Sequence, residues 1–228
     1  MPERTLPEKK ELAVIKTTKS YVVCRKEAGM ECEKEIPALL ALRLGGKPEN
    51  YYCVHRLDKA VGGVMVYART GKAAAALSAQ IRERAFTKEY LAAVTGCPEP
   101  AQGELQDYLY KDPVKGRAFT VKKLRRGVKE ARLEYTVLET VETEAGQASL
   151  VRVRLHTGRF HQIRAQFAAR QMPLLGDGKY GSRVKGCRVA LFSCGIGFED
   201  PATGRALYFE AKPEKAFPWE LFAALQEE

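Results

Sequence analysis

The stretch that most constrains this chain is Val54-His55-Arg56-Leu57-Asp58-Lys59-Ala60-Val61-Gly62-Gly63, which runs straight into Val64-Met65-Val66-Tyr67-Ala68. The apolar run reads as a core strand over residues 63–68, reached by a turn through the paired glycines. Just before it, one carboxylate stands among basic side chains. An Asp held by cations is expected to stay ionised at neutral pH and to be tightly positioned. That suits a nucleophile or a base, and it needs no metal.

Other apolar runs fall in hairpin-like pairs. Residues 12–16 and 21–24 read as strands joined by a turn at 17–20, and residues 89–95 as a strand closed by Gly96-Cys97-Pro98. Residues 128–141 and 148–156 read as long strands with Glu144-Ala145-Gly146 between them. Strands over 189–198 and 206–210 are linked by Asp200-Pro201-Ala202-Thr203-Gly204, a strong turn signal. Helices are expected over 36–44, 71–85, 160–171 and 217–226. In the second of these, Ala73, Leu77 and Ile81 recur at four-residue spacing. Residues 98–103 are the best candidate for a loop or a boundary between sub-lobes. The pattern is α+β, one continuous sheet with helices packed on it.

Lys and Arg total 38 against 28 Asp and Glu, a net charge of +10 that favours a polyanionic partner without identifying one. The cysteines Cys24, Cys32, Cys53, Cys97, Cys187 and Cys194 form no C-x-x-C pair and none has a His at zinc-ligand spacing. Reduced thiols in a cytoplasmic protein are expected. Residues 1–11 read as a polar tail without an apolar signal region, and no apolar run approaches the roughly 20 residues that span a bilayer.

Two further segments carry chemistry. In residues 150–156, Val151, Val153 and Leu155 alternate with Arg152, Arg154 and His156. The chain then reaches Thr157-Gly158-Arg159-Phe160-His161-Gln162-Ile163-Arg164, where a helix start bearing cations and amides adds anion affinity. His161 and Arg164 share one helical face. A glycine-punctuated loop follows, Pro173-Leu174-Leu175-Gly176-Asp177-Gly178-Lys179-Tyr180-Gly181. In residues 87–96, alternation puts Lys88, Tyr90 and Ala92 on one face, and a Tyr beside a Lys suits stacking on a base. Taken singly, each segment is equally a solvated charged face or a half-buried strand.

Together the segments resemble the RluA-type pseudouridine synthases. His55-Arg56-Leu57-Asp58 is similar to that family's catalytic motif, Lys88-x-Tyr90-x-Ala92-x-Val94-x-Gly96 to its second, and Thr157-Gly158-Arg159-x-His161-Gln162-Ile163-Arg164 with Pro173-x-x-Gly176-Asp177-x-x-Tyr180-Gly181 to its third. The resemblance spans about residues 12–215. It implies a mixed, mainly antiparallel central sheet with flanking helices and a catalytic cleft, in one catalytic domain over 12–228. It implies isomerisation of uridine to pseudouridine in structured RNA, rRNA or tRNA, without cofactor or metal. A monomer is expected, though the sequence itself does not reveal the oligomeric state. Asp58 would be the catalytic carboxylate, Arg164 the Arg that ion-pairs with it, and Tyr90 the Tyr that packs on the target uracil and helps remove the C5 proton. His55, Arg56, Leu57, Lys88, Arg159, His161, Gln162 and Ile163 would contact substrate. The target base must be extruded from its stack, and Arg152, Arg154 and the Lys122-Lys123-Leu124-Arg125-Arg126 cluster are candidates to hold the RNA backbone.

Departures from the family pattern fall at Val61, Gly62, Gln166 and Phe192, and Lys26-Glu27-Ala28-Gly29 replaces an early Lys-Pro-x-Gly. About 11 residues precede the first strand, so the small S4-type domain of many relatives is not expected. Two alternatives stay open: an RNA-binding protein of this fold that has lost catalysis, and a metal-dependent phosphodiesterase that pairs Asp58 with Asp177.

Overall fold

A computed structural model describes residues 12–226; the polar tail at 1–11 lies outside the described residues. The elements run β1 (Ala13–Thr17), β2 (Tyr21–Lys26), α1 (Glu35–Leu44), β3 (Tyr52–Cys53), β4 (Gly62–Ala68), α2 (Gly71–Arg82), β5 (Thr87–Thr95), β6 (Gln102–Asp112), β7 (Arg117–Val121), β8 (Val128–Thr143), β9 (Gly146–Leu155), α3 (Gln162–Ala169), β10 (Leu191–Glu199) and β11 (Ala206–Glu210). The strands form one 11-stranded sheet along β1-β2-β4-β10-β5-β9-β8-β6-β7, with β11 on β10 and β3 on β4. Among the described residues only β4 and β10 pair in parallel. This is the mixed, mainly antiparallel α+β architecture.

β4 is an interior strand between β2 and β10 and is buried along its whole length. Met65 and Tyr67 enter one core layer and Val64 and Val66 the other, so a continuous apolar run is what its position requires. The paired glycines do not make the expected turn; they already belong to β4. A Cβ on Gly63 would collide with the Ser193 backbone of β10, so glycine permits the close parallel pairing. The Thr70 hydroxyl caps α2 by accepting from the Ala73 amide at 3.2 Å, and Ala73 and Leu77 are buried as the spacing predicted.

Three expectations need correction. Residues 98–101 form the expected loop, but it bounds no sub-lobe; β6 begins at Gln102 and pairs with β8 inside the same sheet. The C-terminal helix is replaced by two 3-10 turns, Trp219–Leu221 and Ala223–Leu225. Between them Phe222 is extended and fully buried against the core under β10. Anchoring that ring interrupts the helix. Finally, α3 starts at Gln162 rather than residue 160, because His161 turns into the left-handed region at φ 52°. Among the described residues no helix is long and apolar enough to cross a membrane, and all six cysteines are free thiols.

Candidate active site

The loop before β4, the face of β5 and the start of α3 enclose a cleft of about 870 Å³. Asp58 sits on its floor with Tyr90, His161 and Arg164. β5 and β9 set the cleft's back wall. Their register pairs Tyr90 with Val153 and Leu91 with Arg152, so Tyr90 looks into the layer below the cleft while Arg152 lies on the other face of the sheet. Arg152 there meets Glu89 at 3.7 Å. Strand alternation turns Arg152 and Arg154, the candidates to hold the RNA backbone, away from the cleft. The 122–126 cluster is an exposed tip between β7 and β8.

Asp58 is gripped from α3. Arg164 Nη1 donates to Asp58 Oδ2 at 3.1 Å, across 106 positions of sequence. The same guanidinium forks onto Asp177, Nε to Oδ2 at 2.6 Å and Nη2 to Oδ1 at 2.8 Å. Asp177 is 1% exposed, so the fork is fixed in geometry and in charge. Burial works against the Arg164 charge, and Asp177 followed by Asp58 raises its pKa regardless. This arrangement removes the paired-carboxylate alternative: the guanidinium occupies both Asp177 oxygens and stands between the two acids. Asp58 Oδ1 carries no hydrogen bond to any described residue.

The second neighbour of Asp58 Oδ2 is His161 Nε2 at 3.5 Å. Burial, outweighing the pull of Asp58, lowers the His161 pKa to about 4, so the ring is neutral at pH 7. Phe160 stacks on it at 3.8 Å between centroids. Tyr90 is buried, which raises its pKa further than the neighbouring Asp58 does, and its hydroxyl carries no hydrogen bond to a described residue.

A third device comes from β2. Lys26 is fully buried, and its ammonium donates to the carbonyls of Glu27, Asp58, Lys59 and Val61. Burial lowers its pKa, against the pull of nearby thiol and acid groups including Asp58. The carbonyl ring holds the catalytic-motif loop against β2 from beneath. Sequence reasoning left this lysine as part of a departed motif. The signal was its place at the end of a strand that opens on the apolar run Tyr21-Val22-Val23-Cys24.

The remaining expected residues divide by location. Lys88, Arg56 and Arg159 line the cleft. Lys88 is half-buried, has no carboxylate partner among the described residues, and lies 5.5 Å from the Phe86 ring. Arg56 sits at the rim, 68% exposed and 3.3 Å from Glu33. Arg159 Nε donates to the Glu130 carbonyl at 2.7 Å. Leu57 and Ile163 are core residues whose edges reach the cleft. His55 and Gln162 also line the cleft, and in addition do structural work. His55 Nε2 accepts from the Val66 amide at 3.1 Å, and burial lowers its pKa to about 3, so it is no cation beside Asp58. The Gln162 carbonyl accepts from Thr157 Oγ1 at 2.8 Å and the Arg159 amide at 3.0 Å, which shapes the turn into α3. Of the first amides of α3, that of Gln162 donates to the Arg159 carbonyl at 3.1 Å. Gln166 ties α3 to β6 through the Leu105 carbonyl and Asp107.

The comparisons agree with this geometry. The family model described as RNA pseudouridylate synthase matches residues 20–169. An uncharacterized RNA pseudouridine synthase of Aquifex aeolicus is 36% identical over 174 residues, 72% of this chain and 54% of that protein. The dual-specificity RNA pseudouridine synthase RluA of Escherichia coli is 37% identical over 162 residues, covering 69% and 71%. Ribosomal large subunit pseudouridine synthase D of Zymomonas mobilis is 33% identical over 169 residues, covering 70% and 51%. The chain thus spans about half the length of several curated relatives it matches. Human RNA pseudouridylate synthase domain containing 1 shares the fold, with a TM-score of 0.75 at 22% identity over 91% of this chain and 85% of that one. From motif order, site geometry and these matches together, the chain belongs to the RNA pseudouridine synthase family, on its RluA-type side.

Proposed function

We propose that this chain isomerises uridine to pseudouridine in structured RNA, rRNA or tRNA, with Asp58 as nucleophile. The observation that carries this reading is the Asp177–Arg164–Asp58 chain. It ties one carboxylate oxygen to a fixed cation and leaves the other, Oδ1, for attack in the cleft. A uridine must leave its stack to reach that depth, at a cost of a few kcal/mol that stacking and phosphate contacts offset. Oδ1 then adds to ribose C1′ or to base C6. The C1′–N1 bond breaks with its electron pair going to the uracil, the ring turns, and C5 bonds to C1′; the bond to Asp58 breaks with its electron pair returning to the carboxylate, the C5–H proton is lost and N1 takes up a proton. The Arg164 charge stabilises the carboxylate whenever it is free. We assign Tyr90 to packing on the uracil, because its raised pKa keeps the phenol protonated. Lys88, the half-buried cation with no carboxylate partner, takes the phosphate of the extruded nucleotide.

The names of the relatives support ribosomal RNA within this class. We infer a working monomer, and the six free thiols support a cytoplasmic setting. The test is pseudouridine mapping across total RNA from cells with and without the gene. We expect discrete sites to lose the modification and to regain it with the wild-type gene. Identical maps overturn the reading in favour of a catalytically silent RNA-binding protein.

A further inference from the structure

Behind Asp58 runs a hydrogen-bond chain that the mechanism above leaves unused. Tyr180 lies in the 3-10 turn after Asp177, and its phenol oxygen accepts from the Ala118 amide of β7 at 2.7 Å. An amide N–H can only donate, so the phenol proton remains to be given elsewhere. His161 Nδ1 is 3.1 Å from that oxygen. The phenol ring is held by two guanidiniums, Arg117 at 4.7 Å and Arg164 at 5.1 Å from its centroid. His161 is held in turn by stacking on Phe160 and by a left-handed backbone that a non-glycine residue seldom adopts.

We propose that Tyr180 locks His161 as the neutral Nε2–H tautomer, so that the imidazole aims a second N–H at Asp58 Oδ2 and positions the carboxylate with Oδ1 outward. The inference rests on Asp58 being the nucleophile. With Nδ1 accepting from the phenol, the single proton of a neutral imidazole sits on Nε2. The lowered pKa of His161 agrees with a ring that carries only that proton. The Nε2–Oδ2 separation of 3.5 Å is long for a hydrogen bond and is expected to tighten when RNA closes the cleft. Tyr180 and His161 are positioning residues: they touch Asp58 or each other, and the substrate meets Asp58. Arg164 sets the charge on Oδ2, and His161 sets its rotation.

The chain contains three histidines, His55, His156 and His161, so nitrogen NMR of the 15N-histidine-labelled full chain resolves each ring. His161 is assigned by the signal lost in His161→Gln. At pH 7 we expect His161 to show a protonated Nε2 and an unprotonated Nδ1, and Tyr180→Phe to convert it to a mixture of tautomers. In single turnover at saturating RNA, Tyr180→Phe and His161→Leu are expected to slow isomerisation about tenfold, the worth of one hydrogen bond, with RNA affinity unchanged. His161→Gln, whose amide supplies a donor, recovers most of the rate. A wild-type His161 carrying its proton on Nδ1, or a cationic ring, overturns the inference even if a variant fails to fold. So do normal rates and an unchanged spectrum in a folded Tyr180→Phe. A wild-type chain inactive on every RNA, with the expected tautomer present, overturns the nucleophile assignment instead.

Discussion

Arg164 and Arg56 reach the same cleft from opposite conditions. The Arg164 side chain is 6% exposed and forks onto Asp177, whereas that of Arg56 is 68% exposed and meets Glu33 at 3.3 Å. The contrast extends to the regions they belong to. On the floor, Lys26, Asp58, His161, Arg164, Asp177 and Tyr180 form a nearly closed set of mutual contacts. On the rim, Lys111 lies 4.6 Å over Phe160 and shares the cleft with Lys129 and Arg159, in side chains open to water. A buried pair is costly to break because it strands a charge, whereas an exposed pair contributes little. On the proposed reading, the floor acts on the rate of the chemistry and the rim on how strongly RNA is held.

The largest break in that comparison is Asp177→Asn. It strands the Arg164 charge and frees its fork to swing. We expect a single-turnover rate lower by about 100-fold, the scale of a small misplacement of a reacting group, with RNA affinity little changed. Stability falls by up to about 3–5 kcal/mol if the pair behaves as other buried pairs do. A rate within threefold of wild type, measured on folded protein, would erase the distinction between floor and rim.

A middle-sized effect tests the rim. Replacing Lys111, Lys129 and Arg159 together by Ala should weaken RNA binding and flatten its salt dependence by about 2 in the log–log slope. The rate at saturating RNA should fall much less than the affinity. If saturation fails to recover the rate, these cations act on the chemistry.

The smallest effect is on stability against pH. The His55 pKa is lowered to about 3 and that of His161 to about 4, both first by burial. Below the ordinary histidine value near 6.5 the unfolded chain binds protons that the folded chain refuses. Stability is thus complete above about pH 6.5 and is lost as pH falls toward these folded values, by at most about 1.4 kcal/mol per pH unit for each ring. His55→Gln keeps an acceptor for the Val66 amide and should reduce the loss between pH 7 and pH 5. Denaturant midpoints at the two pH values measure it. Equal loss in wild type and variant would show that His55 does not refuse its proton.

Legibility in the sequence followed the same division. Strands β4, β5, β9 and β10 could be read because apolar runs and alternation are local properties of a buried strand. β6 and β7 could not. Along β6 only Leu105 and Leu109 are buried, and the inward Asp107 between them is satisfied by Gln166 and Arg170 of α3. That partnership joins residues about 60 positions apart and leaves no periodic trace. The resemblance placed Asp58, Tyr90 and Arg164 together, and the fold brings them into one cleft. The roles of Lys26 and Tyr180 were not legible for the same reason as β6, since their partners in the 58–61 loop and at Ala118 lie far along the chain; Asp177 lies only 13 positions from Arg164, and it is the fold of the intervening loop that pairs them. His55 and Gln162 show the converse, since motif residues beside an active centre also build the turns that carry it.

The central claim is that one oxygen of Asp58 attacks the nucleotide while Arg164 holds the other. Asp58→Asn keeps the size of the side chain and an acceptor for Arg164, and it removes the nucleophilic charge. The decisive measurement is single-turnover pseudouridine formation by this variant on an RNA that the wild type modifies, with thermal melting as the check on folding. The account predicts a folded protein that binds RNA and forms no product above background; product at the wild-type rate would contradict it.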